Sequence, residues 1–392
     1  MSDQSALNQW FIMVTTHLPH LSKPQAAVLA LWSFAIAMIK SCGLTSVTVF
    51  LATLLGKKED ALRQRLREGY YDADDKKGDR RRDLEVSTCF APLLRWVLEW
   101  WSAEECRLAL ALDATTLGQR FTVLVISILY RGCAIPVAWK VLPATKPGAW
   151  RPHWLALFEH LRGSIPADWT VIVLADRGLY ARWLYRQVTR LGWHPFFRIN
   201  GGGKFRPAGE NHYRPLAQVV PQAGMQWCGQ VICFKSQPLA CTLLARWEVG
   251  QAEPWLIITD LSPQQADVCW YALRPWIEGG FQDIKRGGWQ WQYTRMTDPR
   301  RAERLWLGMA LATLWTVSVG GEADATLPAS SLAELPPTHR ARRRAKRNAR
   351  PRRLSCFRRG SLVILATLLR GQPLPFGCFY PEAWPCSAPA PP

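Results

Sequence analysis

Cys106-Arg-Leu-Ala-Leu-Ala-Leu-Asp113-Ala-Thr-Thr-Leu-Gly118 is a run of small and apolar residues that ends in an acid. Such a run reads as a buried strand, here one that delivers Asp113 to its end. Trp169-Thr-Val-Ile-Val-Leu-Ala-Asp176-Arg-Gly178 repeats the layout, with β-favouring residues followed by a carboxylate and a turn glycine. Taken singly, either aspartate reads as a strand-end or capping residue. Two acids placed alike on two buried strands are harder to dismiss. A buried charge must be paired or bound to a metal, so the pair suggests a cation site.

Between the two strands lie Phe121-Thr-Val-Leu-Val-Ile-Ser-Ile-Leu-Tyr130 and Ala134-Ile-Pro-Val-Ala-Trp-Lys-Val-Leu142, joined by an Arg131-Gly132 turn, which reads as an antiparallel meander. The spacing predicts helices over His153–Arg162 and Ala181–Leu191, the latter closed by Gly192, and a fifth strand over His194–Ile199. The element order is βββαβαβ. In the RNase H-like fold with that order the first and fourth strands are neighbours, which would bring Asp113 beside Asp176.

Downstream, Tyr271-Ala-Leu-Arg274-Pro-Trp-Ile-Glu278-Gly-Gly-Phe-Gln-Asp-Ile-Lys285 places four polar residues at steps of three, four and seven. Read as a helix, those steps return the side chains to one face. Spacing alone also allows a solvated face with i,i+4 ion pairing. A carboxylate ringed by two cations and a phenol can instead hold a divalent metal while its neighbours grip phosphate oxygens.

With these residues the chain resembles a DDE transposase of a bacterial insertion sequence, from the insertion-sequence family four group marked by a Tyr-x2-Arg-x3-Glu-x6-Lys signature. Positions 271, 274, 278 and 285 meet that signature, and the contexts Leu-Asp113-Ala-Thr-Thr and Ala-Asp176-Arg-Gly match as well. The resemblance covers roughly residues 100 to 320. It implies an α/β fold: an RNase H-like catalytic core, a mixed five-stranded sheet flanked by helices, with a β-rich insertion and a helical N-terminal domain. It implies Asp113, Asp176 and Glu278 as catalytic residues and ligands of two Mg2+ (or Mn2+) ions. Tyr271, Arg274 and Lys285 would contact DNA phosphates near the cleavage site, and Arg177 is a further candidate. The partner would be double-stranded DNA, both transposon terminal inverted repeats and target, bound by a homodimer. The implied steps are nicking at the ends, excision through a hairpin, and attack of the 3′-hydroxyl on target DNA. Gly279-Gly280 departs from good helix sequence; either the helix breaks there or the backbone approaches DNA closely. Two other readings keep parts of this picture. A nuclease or junction resolvase would use the same acids without needing the Tyr/Arg/Lys set. A non-catalytic DNA-binding descendant would be marked by loss of an acid, and all three are present.

Composition agrees with a polyanionic partner. The 392 residues carry a formal charge of +19, and that length allows two or three domains. Eleven cysteines without a C-x-x-C pair fit a reducing cytoplasm, where a bacterial DNA-associated protein would reside. Ala26 to Leu55 is apolar, but Lys40-Ser-Cys-Gly43 interrupts it and neither half reaches the roughly 20 residues of a membrane span, so no membrane partner is expected.

The expected organisation is a helical DNA-binding domain over 1–90, core over 100–200, β-rich insertion over 201–265, core again over 266–325, and a basic tail over 326–392. In the first, Glu59 to Glu68 carries Arg63, Arg65 and Arg67 after a short turn. That is the layout of a helix-turn-helix or of an ordinary amphipathic hairpin. In the insertion, the resemblance implies a base-stacking tryptophan, for which Trp227, Trp247 and Trp255 are candidates, although each reads first as core. Eleven arginines and lysines with no acid over Arg340–Arg359 predict electrostatic contact with phosphate, a disordered solvating tail being the alternative. One more helix is expected over Ser361–Arg370, and then a loose Pro-rich end.

Overall fold

The computed structural model describes residues 2–76, 82–145, 149–325 and 354–387. Four helices open the chain: α1 Ser2–His17, α2 Lys23–Ile39, α3 Leu44–Leu55 and α4 Glu59–Tyr70. The start of α2 is set by Pro24 in the first turn and by the Gln25 side chain, which accepts from the Ser22 N–H at 3.0 Å. Gly56 in the left-handed region (φ 61°) closes α3. α2 and α3 meet at 97°, and among the described residues no single helix is long and apolar enough to cross a membrane.

After α5 (Phe90–Glu99) come β1 Arg107–Leu117, β2 Phe121–Tyr130, β3 Cys133–Pro143, α6 Arg151–Leu161, β4 Thr170–Ala175, α7 Arg182–Arg190 and β5 His194–Arg198. The chain continues through β6 Lys204–Pro207, β7 Arg214–Pro215, β8 Gln226–Cys233, β9 Leu239–Arg246 and β10 Trp255–Thr259. It ends with α8 Trp276–Ile284, α9 Pro299–Asp324 and α10 Cys356–Leu369. All ten strands form one mixed sheet in the order β3-β2-β1-β4-β5-β10-β9-β8-β6-β7. β1, β4 and β5 run parallel, and the other pairings are antiparallel. The sheet therefore does not stop at five strands. β10 pairs with the edge of β5 through Ile257/Arg198 and Ile258/Phe197, so the β-rich segment extends the sheet. A free strand edge presents unpaired N–H and C=O groups, and β10 satisfies them.

α9 is buried almost along its whole length and packs against α2, β3 and α10. An apolar helix without a polar face belongs inside a core. Trp10 of α1 stacks on Trp315 of α9 at 4.5 Å, so the N-terminal helices share one hydrophobic core with the sheet. As far as Ser387 the Pro-rich end is packed, against expectation; residues 388–392 lie outside the described residues. Phe379 is fully buried and forms a parallel bridge with Trp101, and Trp384 lies edge-on to Trp270 at 4.9 Å. Proline removes a donor but not apolar surface, so buried aromatic rings hold this segment without regular structure. Most of the basic run expected to contact phosphate lies outside the described residues. At its end, Arg359 pairs with the fully buried Asp324 at 3.2 Å and is a core contact.

Candidate active site

β1 and β4 pair in parallel up to Leu112/Ala175, so the next residues, Asp113 and Asp176, leave that ladder side by side. The β1 strand runs on past this point. Asp113 pairs opposite Val125, and the antiparallel ladder with β2 continues to Leu117/Phe121. Asp113 thus sits inside a strand, at the fork where β4 turns away, and not at a strand end. Each acid is oriented by a neighbouring backbone N–H. Ala114 donates to Asp113 Oδ1 at 2.8 Å, and Arg177 donates to Asp176 Oδ1 at 2.7 Å.

The segment 271–285 is not one continuous helix. A 3-10 helix spans Val268–Leu273, Arg274 ends it, and α8 begins after Pro275. Proline lacks the N–H that a through-running helix requires. The tightened i→i−3 bonds from Arg274, Ile277 and Glu278 N–H groups mark the joint. Lys285 lies at the C-cap of α8. The glycine pair neither breaks α8 nor faces open space. A Cβ on Gly280 would lie 2.8 Å from the Ala134 Cβ, and one on Gly279 would lie 3.4 Å from the Gly132 carbonyl. The close approach they permit is to the β2–β3 turn and the start of β3.

This seating brings the signature to the two acids. The Arg274 guanidinium donates to Glu278 Oε1 at 2.7 Å and, across 161 positions in sequence, to Asp113 Oδ2 at 2.7 Å. The Tyr271 hydroxyl lies 3.5 Å from Asp176 Oδ1 and from the Ala175 carbonyl. Lys285 Nζ donates to Thr115 Oγ1 at 2.7 Å and to the Thr116 carbonyl at 2.9 Å, on the strand that carries Asp113. Arg177 points elsewhere and pairs with Glu253 at 2.6 Å, which also takes Arg198 at 3.5 Å.

The electrostatics follow from partial burial of like charges. Burial pushes the Asp113 carboxyl above the usual range; Arg274 opposes that, while Glu278 and Asp176 add to it. Burial also acts against the charge of Arg274, but the surrounding acids and Tyr271 hold its pKa above the ordinary value. Burial raises the Tyr271 phenol and lowers the Lys285 ammonium. The result is a cluster of three acids and two cations whose acids disfavour one another without a positive partner.

Three carboxylates form a hard-oxygen donor set of the type that binds Mg2+ or Mn2+. Among the described residues, however, no three His, Cys, Asp or Glu side chains are gathered tightly enough to hold an ion. Arg274 occupies the position between Asp113 and Glu278.

One contributor, Thr115, escaped sequence reading, and one of the three candidate tryptophans is singled out by its contact. Thr115 follows Asp113 at a step of two, which places both on one face of β1, and that period was the available signal. Trp255 lies edge-on to Tyr271 at 5.4 Å. Trp227 on β8 packs on Phe205 at 5.8 Å, and Trp247, just past the end of β9, donates to the Gln251 carbonyl at 3.0 Å. Only register, which sequence does not disclose, separates the three.

Residues 137–315 match a family model described as "Transposase DDE domain", which supports a DDE transposase. The match takes in Asp176 and the 271–285 signature but begins in β3, after Asp113. No curated protein matches the chain. Among solved structures, the "Cryo-EM structure of piggyBac transposase synaptic complex with hairpin DNA (SNHP)" is similar over 75% of this chain and 72% of that chain, at 10% identity and a TM-score of 0.33. At that score the likeness fixes neither fold nor function.

Proposed function

We propose that the chain catalyses DNA strand cleavage and strand transfer, moving a DNA segment bounded by terminal inverted repeats, on an RNase H-like core formed by the β3-β2-β1-β4-β5 half of the sheet. One observation carries the reading: a single guanidinium, Arg274, joins Asp113 on β1 to Glu278 on α8, beside Asp176 at the end of β4. Asp113, Asp176 and Glu278 are the residues that would hold two Mg2+ or Mn2+ ions. When bound, such ions activate the attacking hydroxyl and neutralise the leaving oxygen at phosphorus.

The chain's own groups position the DNA. The planar fork of Arg274 suits two phosphate oxygens as well as it suits two carboxylates. Lys285, anchored to Thr115 and the Thr116 carbonyl, sets a cation beside the strand of Asp113. Tyr271, its ring buried against Trp255, sets its hydroxyl 3.5 Å from Asp176 as a contact to phosphate beside a base displaced from the duplex. Helices α3 and α4 form a DNA-binding element with Arg63 and Arg65 exposed on α4, and the active assembly on DNA is a homodimer.

The test uses DNA carrying the sequences that flank the gene. Asp113→Ala, Asp176→Ala and Glu278→Ala are each expected to abolish cleavage while leaving gel-shift affinity within a few-fold, because phosphate contacts elsewhere supply most of the binding. Unchanged cleavage in any one variant removes that residue from the site. Cleavage products without joined target DNA would favour a hydrolytic nuclease over a transposase.

A further inference from the structure

A cavity of ≈ 630 Å³ opens between α2, α4 and α9, lined by none of the residues of the acidic site. Its apolar surface is built from Val28, Leu29 and Leu305, with the rings of Trp32 and Tyr70 6.2 Å apart at 60°. The polar lining includes Arg65, Lys76 and Arg82 with one carboxylate, Glu68, while Asp72 and Asp83 beyond the lining also act on Lys76. The fourth cation of the lining, Arg304, is spent on structure. It donates to the Leu84 and Tyr70 carbonyls at 3.1 and 3.0 Å and pairs with Asp72 at 2.8 Å. Arg65 and Arg82 are exposed, and neither has a carboxylate partner among the described residues. Lys76 Nζ donates to the Arg82 carbonyl at 2.6 Å, which leaves the ammonium further hydrogens to offer.

An apolar, aromatic pocket with cations in its lining matches a flat ring bearing an anion. Its volume lies in the range of sites that enclose one small ligand and is too small for a duplex. We propose that this cavity binds a single nucleotide, with the base against Tyr70 and Trp32 and the phosphate on Arg65, Lys76 and Arg82. The nucleotide is either an unpaired residue of a DNA strand or a free mononucleotide. The proposal does not depend on the function assigned to the acidic site.

The test uses the full chain and three probes: AMP, a single-stranded oligonucleotide with one 2-aminopurine, and inorganic phosphate. Binding is followed by 2-aminopurine fluorescence and by competition. Arg82→Gln changes an exposed residue outside α3 and α4 and should weaken the oligonucleotide about tenfold, the loss expected for a charge-assisted contact. Tyr70→Leu should reduce the fluorescence quench at saturation. Displacement of the oligonucleotide by AMP identifies a site open to free nucleotides. Binding of the oligonucleotide without AMP competition identifies an unpaired strand residue, and both results support the pocket. Displacement by phosphate as effective as by AMP would reduce it to an anion patch and overturn the proposal. Affinity and quench unchanged in both variants would overturn it too. The same loss on Arg82→Gln is expected in an Asp113→Ala background, which separates this result from any failure of the catalytic reading.

Discussion

Gly279 and Gly280 are adjacent in α8, yet they should answer to alanine in opposite directions. Both substitutions remove the same helix penalty, about 1 kcal/mol per glycine. At Gly279 the added methyl sits 3.4 Å from the Gly132 carbonyl, an acceptable contact, so Gly279→Ala should be neutral or stabilising by up to about 1 kcal/mol. At Gly280 the methyl would lie 2.8 Å from the Ala134 Cβ and 3.1 Å from its carbonyl oxygen. Neither atom can rotate away, so α8 must lift from β3, at an overpacking cost of about 1–3 kcal/mol. The propensity term is common to both variants and cancels in their difference. Gly280→Ala should therefore unfold in urea about 1–3 kcal/mol more easily than Gly279→Ala. Because Glu278 rides on the same helix, Gly280→Ala should also lose cleavage under conditions where it remains folded. Equal stability of the two variants would show that α8 is not seated on β3, and the placement of Glu278 beside Asp113 would fall with it.

Burial holds the Asp283 carboxyl up at about 7 against the opposing field of Arg358. The folded chain then keeps a proton that the unfolded chain gives up near 4, so stability should fall as pH rises between roughly 4 and 7 and level off above. Asp283→Asn should flatten that slope in urea titrations at several pH values; an unchanged slope would exclude Asp283 as its source. Deleting residues 340–353 removes nine arginines and lysines while keeping Arg358 and Arg359 in α10. Affinity for unrelated and end-bearing DNA should drop alike, with a shallower dependence of log affinity on log salt; an unchanged salt slope would mean that the segment does not contact phosphate.

The strands that carry Asp113 and Asp176 were legible because buried parallel strands write themselves as continuous apolar runs. Their adjacency followed from element order alone. The break at Pro275 was also written in the sequence, but the three-four-seven spacing of Tyr271, Arg274, Glu278 and Lys285 suggested an unbroken helix over it. What could not be read depends on partners remote in sequence. The extension of the sheet required β5 to have a free edge for β10. The role of Gly280 required Ala134 to stand opposite it. The packing of the Pro-rich end required Trp101 and Trp270 as docking surfaces, and neither lies near it in the chain. Arg274 looked like one more phosphate contact, and nothing local announces that it spans 161 residues to reach Asp113.

The segment that returns across the molecule also constrains how the chain acquires its structure. The Leu374 N–H donates to the Gln9 side chain across 365 positions, and Ser387 donates through N–H and hydroxyl to Asp267, the residue that caps the 3-10 helix bearing Tyr271. Closing a loop of that length costs about 5 kcal/mol in chain entropy before any contact forms, so it comes late in folding. The sheet and its two aspartates can assemble during synthesis, while the turn that presents Tyr271 waits for residue 387 to emerge. A nascent chain would thus hold its acids long before the signature beside them is fixed.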